Sequence, residues 1–236
     1  MDSPQILNFS SFSEQMAIAL FDLQVQAKPI DAWNYWLNLS ENVEVTEDEQ
    51  QNLEKLIHLL NLYLRGWNEM ELRQKFIGPV INLVQFDDFD LRVAYFAERT
   101  MQVQYDQHII KGVTDGIVAT GIFEPVSPLF FVHEYKREKD NTGDATGQLL
   151  ASMRVADMVN QQPDAINKFH KEDYPIPSVM YGLYIIGRLW FFVTMKEEKY
   201  YVSRAYDAGE INDLTAILQL LKAQKQIIFN FLAKEN

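Results

Sequence analysis

Cysteine is absent from the 236 residues. That excludes a disulfide framework and any zinc site built on thiolates. Histidine is scarce: His58, His108, His133 and His170 lie far apart, and the stretch HEYKR at His133 has Arg137 where a zinc-protease HExxH needs its second histidine. Long apolar runs are missing as well. The longest candidate, YIIGRLWFFVTM, is broken by Arg188, well short of the roughly 20 residues of a membrane span. The opening MDSPQILNF has no basic n-region, so the expectation is a cytoplasmic protein with no membrane partner. Basic residues are in deficit: 21 Lys and Arg stand against 33 Asp and Glu, a net charge of -12. This is the reverse of the broad basic footprint of proteins that cling to phosphate backbones. The deficit is uneven, with -7 carried by residues 1–66 and -5 by the rest. A polyanion would have to be met locally.

What is present is ample material for a core, 47% hydrophobic and 13% aromatic. Helical signals come first. SFSEQMAIALFDLQVQ places Ser11 and Glu14 at capping-box spacing, and Thr46 with Glu49 repeats the signal ahead of QQNLEKLIHLLNLYLRGW, with DAWNYWLNL as a short helix between. WNEMELRQKFIGPVINLV continues at helical spacing, and Pro79 is expected to bend it. The period then changes to that of strands in DLRVAYFAERT, IIKGVTDGIVATG and PLFFVHEYK. GDATGQLLASMRVADMVN reads as a helix, and three further strands follow, the first two joined by a hairpin turn at Gly187 and Arg188. A long amphipathic helix from about Ile211 to Leu232 closes the chain. This order predicts an α/β protein, with a helical extension over residues 1–65 and a mixed sheet flanked by helices over 66–236.

PLFFVHEYKREK raises a question of chemistry. Side chains two apart on a strand share a face, so an apolar strand drives inward and then presents Glu134 and Lys136 together at its end. If the preceding strand returns as a hairpin centred between Glu124 and Pro125, with the loop Gly121–Pro128 regular, paired positions sum to 249 and Asp115 faces Glu134. Two carboxylates about 5 Å apart repel by roughly 3 kcal/mol at an effective dielectric near 20. One lysine offsets about one such pair, and a hard divalent cation with oxygen ligands does better. The plainer reading is an exposed ion pair on an edge strand, which stabilises little.

At these residues the chain resembles the PD-(D/E)XK, or restriction-endonuclease-like, nuclease superfamily, closest in pattern to the nuclease domains of type I restriction enzymes. Asp115 precedes Glu134-Tyr135-Lys136 by 19 positions, and Thr114-Asp115 replaces the PD dipeptide. MELRQKFIGPVINLV is similar to the leading helix of those domains, with Glu71 where an accessory glutamate stands. Gln148 matches the glutamine of the following helix, but Ser152 stands where a tyrosine often follows it. The likeness covers residues 66–206 or so. It implies a restriction-endonuclease-like core and Mg²⁺-dependent hydrolysis of DNA, Mn²⁺ substituting, in a restriction or phage-defence setting. Asp115, Glu134 and the carbonyl of Tyr135 would hold the metal, and Lys136 would position or help activate the attacking water and stabilise the charge growing on the phosphate. Lys111, Arg137, Lys139 and Arg154 are the candidates for the DNA backbone.

Alternatives accompany each residue. Glu71 also suits the third position of a capping box opened by Asn68, Gln148 also suits a helix face bonding a loop, and His133 and Tyr135 point to the face opposite Glu134 as packing residues. A catalytically silent module that binds DNA or protein on the same fold is the second reading. A carboxylate-pair glycosidase is a third, disfavoured because the lysine beside the pair would lower the raised pKa that it needs. The apolar band of the final helix must be covered, either by the N-terminal helices or by a second copy in a homodimer, which the limited basic surface of each subunit favours.

Overall fold

The computed structural model describes residues 4–137, 143–162 and 176–233. A nine-stranded mixed sheet runs through the molecule. Its long members are β3 (Val93–Tyr105), β4 (His108–Thr120), β5 (Val126–Lys136), β6 (Met180–Ile186) and β7 (Leu189–Lys196), with β8 (Lys199–Val202) and β9 (Tyr206–Asp207) after them. β3, β4 and β5 form an antiparallel meander, and β5 then runs parallel to β6. A parallel step needs a crossover. Helix α6 (Ala145–Gln161) lies between β5 and β6 in the chain and packs on both. β5 is buried nearly throughout, as a strand covered on both faces must be, and this explains its continuous apolar run.

The first 65 residues are woven into this sheet. β1 (Gln5–Asn8) pairs in parallel with the start of β4, and β2 (Gln24–Val25) pairs in parallel with β8. Helices α1 (Glu14–Phe21), α2 (Asp31–Glu41) and α3 (Glu47–Tyr63) come from the same segment. One core gathers α2, α3, α5 (Gly78–Val84) and α7 (Ile211–Ala233) against one face, around Trp36, Phe131, Trp190 and Phe192. The other holds α1 and α6 against the opposite face, around Phe12, Phe21, Leu149 and Tyr200. The apolar band of α7, with Ile217, Leu218, Leu221 and Ile228 fully buried, is covered inside the chain by α2, α3 and α5. The Trp36 indole even donates to the carbonyl of Leu220 at 2.8 Å. The face on which the homodimer argument rested is therefore occupied.

Local details depart from the sequence reading where distant partners intervene. α1 starts after Ser13, whose hydroxyl accepts from the Met16 amide, whereas Ser11 bonds the Asn8 carbonyl in a preceding tight turn. Its start is fixed from outside: Asp144 accepts the Glu14 amide at 2.7 Å and also caps α6 through the Gly147 amide at 3.1 Å. The bend at Pro79 becomes a π turn, Arg73–Ile77, between α4 (Glu69–Leu72) and α5, closed by the Gly78 amide on the Arg73 carbonyl. Pro79 brings no amide to the ladder. The Gly187 and Arg188 hairpin turn is present, with Gly187 at φ 60° and Ile186 paired to Leu189. The β4–β5 loop is tighter than the regular eight residues expected. Two register shifts carry the ladder on to Thr120 and Val126, and the Asn160 side chain bonds both the amide and the carbonyl of Leu129 where the ladder slips.

Candidate active site

Away from the loop, the β4–β5 register is the one that the alternation implies. Gly116 pairs with His133, Ile117 with Val132 and Val118 with Phe131, each pair summing to 249. The ladder stops there, one step before Asp115 and Glu134. On its other edge β4 pairs with β3 on both sides of the same point, Ala97 with Gly116 and Arg99 with Thr114, but Glu98 and Asp115 form no pair. Glu98 has a positive φ of 53°, a conformation that costs a non-glycine residue about 1 kcal/mol or more. The sheet thus opens on both sides of Asp115.

Side chains take over the bonding in that gap. Asp115 Oδ2 accepts the amide of Tyr135 at 2.6 Å, and Asp115 Oδ1 lies 3.5 Å from the Arg73 guanidinium, which bonds Glu98 at 2.8 Å. Glu134 Oε1 meets Lys136 Nζ at 3.0 Å, with side-chain exposures of 7% and 18%. Asp115 and Glu134 sit with Ile117 and Val132 on the face covered by α6. Burial and the charge of Asp115 push the Glu134 carboxyl up to about 7, against the opposing pull of Lys136. Burial also raises Asp115, against the Tyr135 amide, Arg73 and Lys136. Burial works against the ammonium of Lys136, but the charge of Glu134 outweighs it and holds Lys136 protonated.

Behind the carboxylates, on the other face, lies a hydrogen-bonded aromatic stack. Tyr135 Oη bonds His133 Nδ1 at 2.7 Å and Tyr95 Oη at 3.1 Å, and Arg73 lies over the Tyr135 ring at 5.8 Å. Burial pulls the His133 imidazole down to about 3, so it is neutral. His133 and Tyr135 are packing residues on the opposite face, as the alternation implies. Together they fix the strand end from which Glu134 and Lys136 project.

The remaining sequence candidates are spread more widely. Glu71 closes a capping box with Asn68 and pairs with Lys75 at 2.7 Å, while it is the charge of Glu69 that bears on both Glu134 and Lys136. Gln148 is buried in the first turn of α6, its amide so close to Gly143 that a Cβ there would lie 2.3 Å from it. Arg137 follows β5 and lines a cleft of about 770 Å³ with Asn68, Glu69, Arg73 and Glu98. Lys111 pairs with Gln102 and Asn8 near the far end of β4, four residues or roughly 13 Å from Asp115 along the strand. Arg154 is bound to Asp157 on α6 at 2.8 Å. Lys139 lies outside the described residues.

Sequence reasoning missed Arg73, Glu69 and Glu98. Glu69 and Arg73 stand four apart, one helical turn, on the segment that carries Glu71; that spacing is the only signal, and it points equally to a surface ion pair. The assembled chemistry is a buried carboxylate, a half-buried one, a protonated lysine and an arginine beside an open cleft. Two carboxylates with a main-chain carbonyl and water suit a hard divalent cation, and burial with the neighbouring charge of Asp115 keeps Glu134 protonated up to about pH 7. Among the described residues no three His, Asp or Glu side chains gather as a ready metal cluster, so such an ion would keep several waters. Comparison of the chain with protein-family models and with curated proteins found no match in either.

Proposed function

We propose that the chain is a divalent-metal-dependent endonuclease hydrolysing phosphodiester bonds in DNA, built on a restriction-endonuclease-like core. The observation that carries this reading is the pair Asp115 and Glu134, flanking a gap in the β4–β5 ladder, with the charge of Asp115 helping burial to raise the Glu134 carboxyl. The order α4–α5, β3, β4, β5, α6, β6, with an antiparallel meander leading into a parallel strand, supports it. Asp115, Glu134 and the Tyr135 carbonyl would hold Mg²⁺ or Mn²⁺, which would polarise a phosphoryl oxygen and lower the pKa of a bound water. Lys136 is protonated, so it acts as a donor and not as a base. It would orient the attacking water and stabilise the negative charge that grows on the phosphate as the water oxygen, its proton passing to solvent, bonds phosphorus and the leaving oxygen departs with a proton taken from solvent. Arg73 and Arg137 line the cleft and would hold the flanking phosphates.

One observation favours the silent binding module instead. Each carboxylate already has a cation of its own, Arg73 beside Asp115 and Lys136 beside Glu134. Incubation of plasmid, linear duplex and single-stranded DNA with the protein and Mg²⁺ or Mn²⁺ separates the two. The enzyme reading expects cleavage, and a loss on the order of 100-fold or more in Lys136→Ala with the fold intact. Wild-type protein that leaves all three substrates whole supports the silent module.

A further inference from the structure

Asp115 keeps one carboxylate oxygen without a short bond. Its Oδ2 accepts the Tyr135 amide at 2.6 Å, whereas Oδ1 has the Arg73 guanidinium beside it at 3.5 Å. That separation is long for a hydrogen bond, so Arg73 brings charge to Oδ1 and little directional bonding. Its Nη2 is equally far, 3.5 Å, from the Asp115 main-chain carbonyl. The short bond of Arg73 goes to Glu98, at 2.8 Å. Oδ1 is therefore the oxygen of Asp115 that a metal would take, and a cation already stands next to it.

Three features set that cation in place. Arg73 opens the π turn, which the Gly78 amide closes on the Arg73 carbonyl; a Cβ at Gly78 would lie 2.9 Å from that carbonyl oxygen, so glycine is what lets the turn close. Such turns inside helices are frequent at functional sites. The guanidinium lies over the Tyr135 ring, and Glu98, in its left-handed conformation, holds it from β3. The side chain also has somewhere to go, being 21% exposed and part of the cleft wall. A divalent ion on Oδ1 would meet the guanidinium at close range, where like charges repel strongly. A phosphate in the cleft would draw Arg73 away as a charge-assisted partner and remove that repulsion.

We propose that Arg73 is a latch on the metal site: in the metal-free protein its charge stands in for the metal at Asp115 Oδ1, and it swings into the cleft when the metal binds. The proposal rests on the metal site argued above. On the nuclease reading a substrate phosphate receives the released guanidinium, so metal and DNA each raise the affinity of the other. Calorimetric titration with Mn²⁺ at low ionic strength tests the latch, with circular dichroism confirming the fold of each variant. Arg73→Gln should bind Mn²⁺ about tenfold or more tighter than the wild type. Arg73→Met, which keeps length over the Tyr135 ring without charge, should do the same, and Arg73→Lys, which keeps the charge, should stay near the wild type. Saturation with phosphorothioate DNA, single-stranded or duplex, should raise the Mn²⁺ affinity of the wild type and leave that of Arg73→Gln unchanged. Equal or weaker Mn²⁺ binding in both uncharged variants would overturn the proposal, weaker binding marking Arg73 as a residue that positions Asp115. No Mn²⁺ binding by wild type and variants alike would overturn the latch and the metal site together. Tighter binding in the uncharged variants with no effect of DNA supports the latch and removes DNA as its release, so the two readings fail separately.

Discussion

Burial and the charge of Asp115 push the Glu134 carboxyl from 4.5 up to about 7, so a proton would compete with any metal bound there. A raised native pKa means that the folded chain keeps a proton which the unfolded chain has released between those values. The resulting stabilisation is complete below about 4.5 and is lost as pH rises through about 7. In metal-free protein, stability should fall by up to about 3 kcal/mol across that window. Glu134→Gln should flatten this dependence. Urea midpoints at both ends of the window check it, and an equal slope in the variant would remove Glu134 as the cause. Metal affinity should change in the opposite sense, weakening about tenfold per pH unit below the Glu134 pKa. At this scale the carboxylates and the lysine were legible because strand alternation fixes which side chains share a face. Arg73, Glu98 and Glu69 were not, since they come from other elements, and no local pattern announces a positive φ at a glutamate.

Helix ends and strand ends in this molecule are set by partners far away in the chain. Asp144 caps α6 through Gly147 and α1 through Glu14 with a single carboxylate, and Gly147 lets the two helices touch, since a Cβ there would lie 2.2 Å from the Ser13 carbonyl carbon. Asp144→Ala should cost about 2–4 kcal/mol, because two amides lose a charged acceptor. Asp144→Asn should cost less, its carbonyl oxygen replacing one of the two contacts. Chemical denaturation measures both, and a loss within about 0.5 kcal/mol for the alanine variant would show that the shared cap contributes nothing. Elements with a long period, α3, β5 and α7 among them, were legible in the sequence. The start of α1 and the slip at Leu129 were not, because Asp144 and Asn160 fix them across more than a hundred and about thirty residues respectively.

The whole molecule carries its N-terminal segment as part of one fold. The sequence reads residues 1–65 as a helical extension; β1 and β2, too short to show a two-residue period, pair with β4 and β8. Trp36 packs edge to face on Phe131, Tyr181 and Phe192, from three different strands. A chain of residues 66–236 alone should therefore fail to fold, exposing α7 and the floor of that aromatic cluster. The complete chain should unfold in a single transition seen alike by circular dichroism and tryptophan fluorescence. A soluble, cooperatively folding 66–236 fragment would contradict this. Among the described residues no helix is long and apolar enough to cross a membrane.

The central claim is that Asp115 and Glu134 share one cation. Calorimetric titration of the metal-free protein with Mn²⁺ at a pH above the Glu134 pKa tests it most directly. The account predicts one saturable site, lost in Asp115→Ala and in Glu134→Gln while both variants remain folded. Unchanged Mn²⁺ binding in those two variants, or no binding by the wild type, would contradict it.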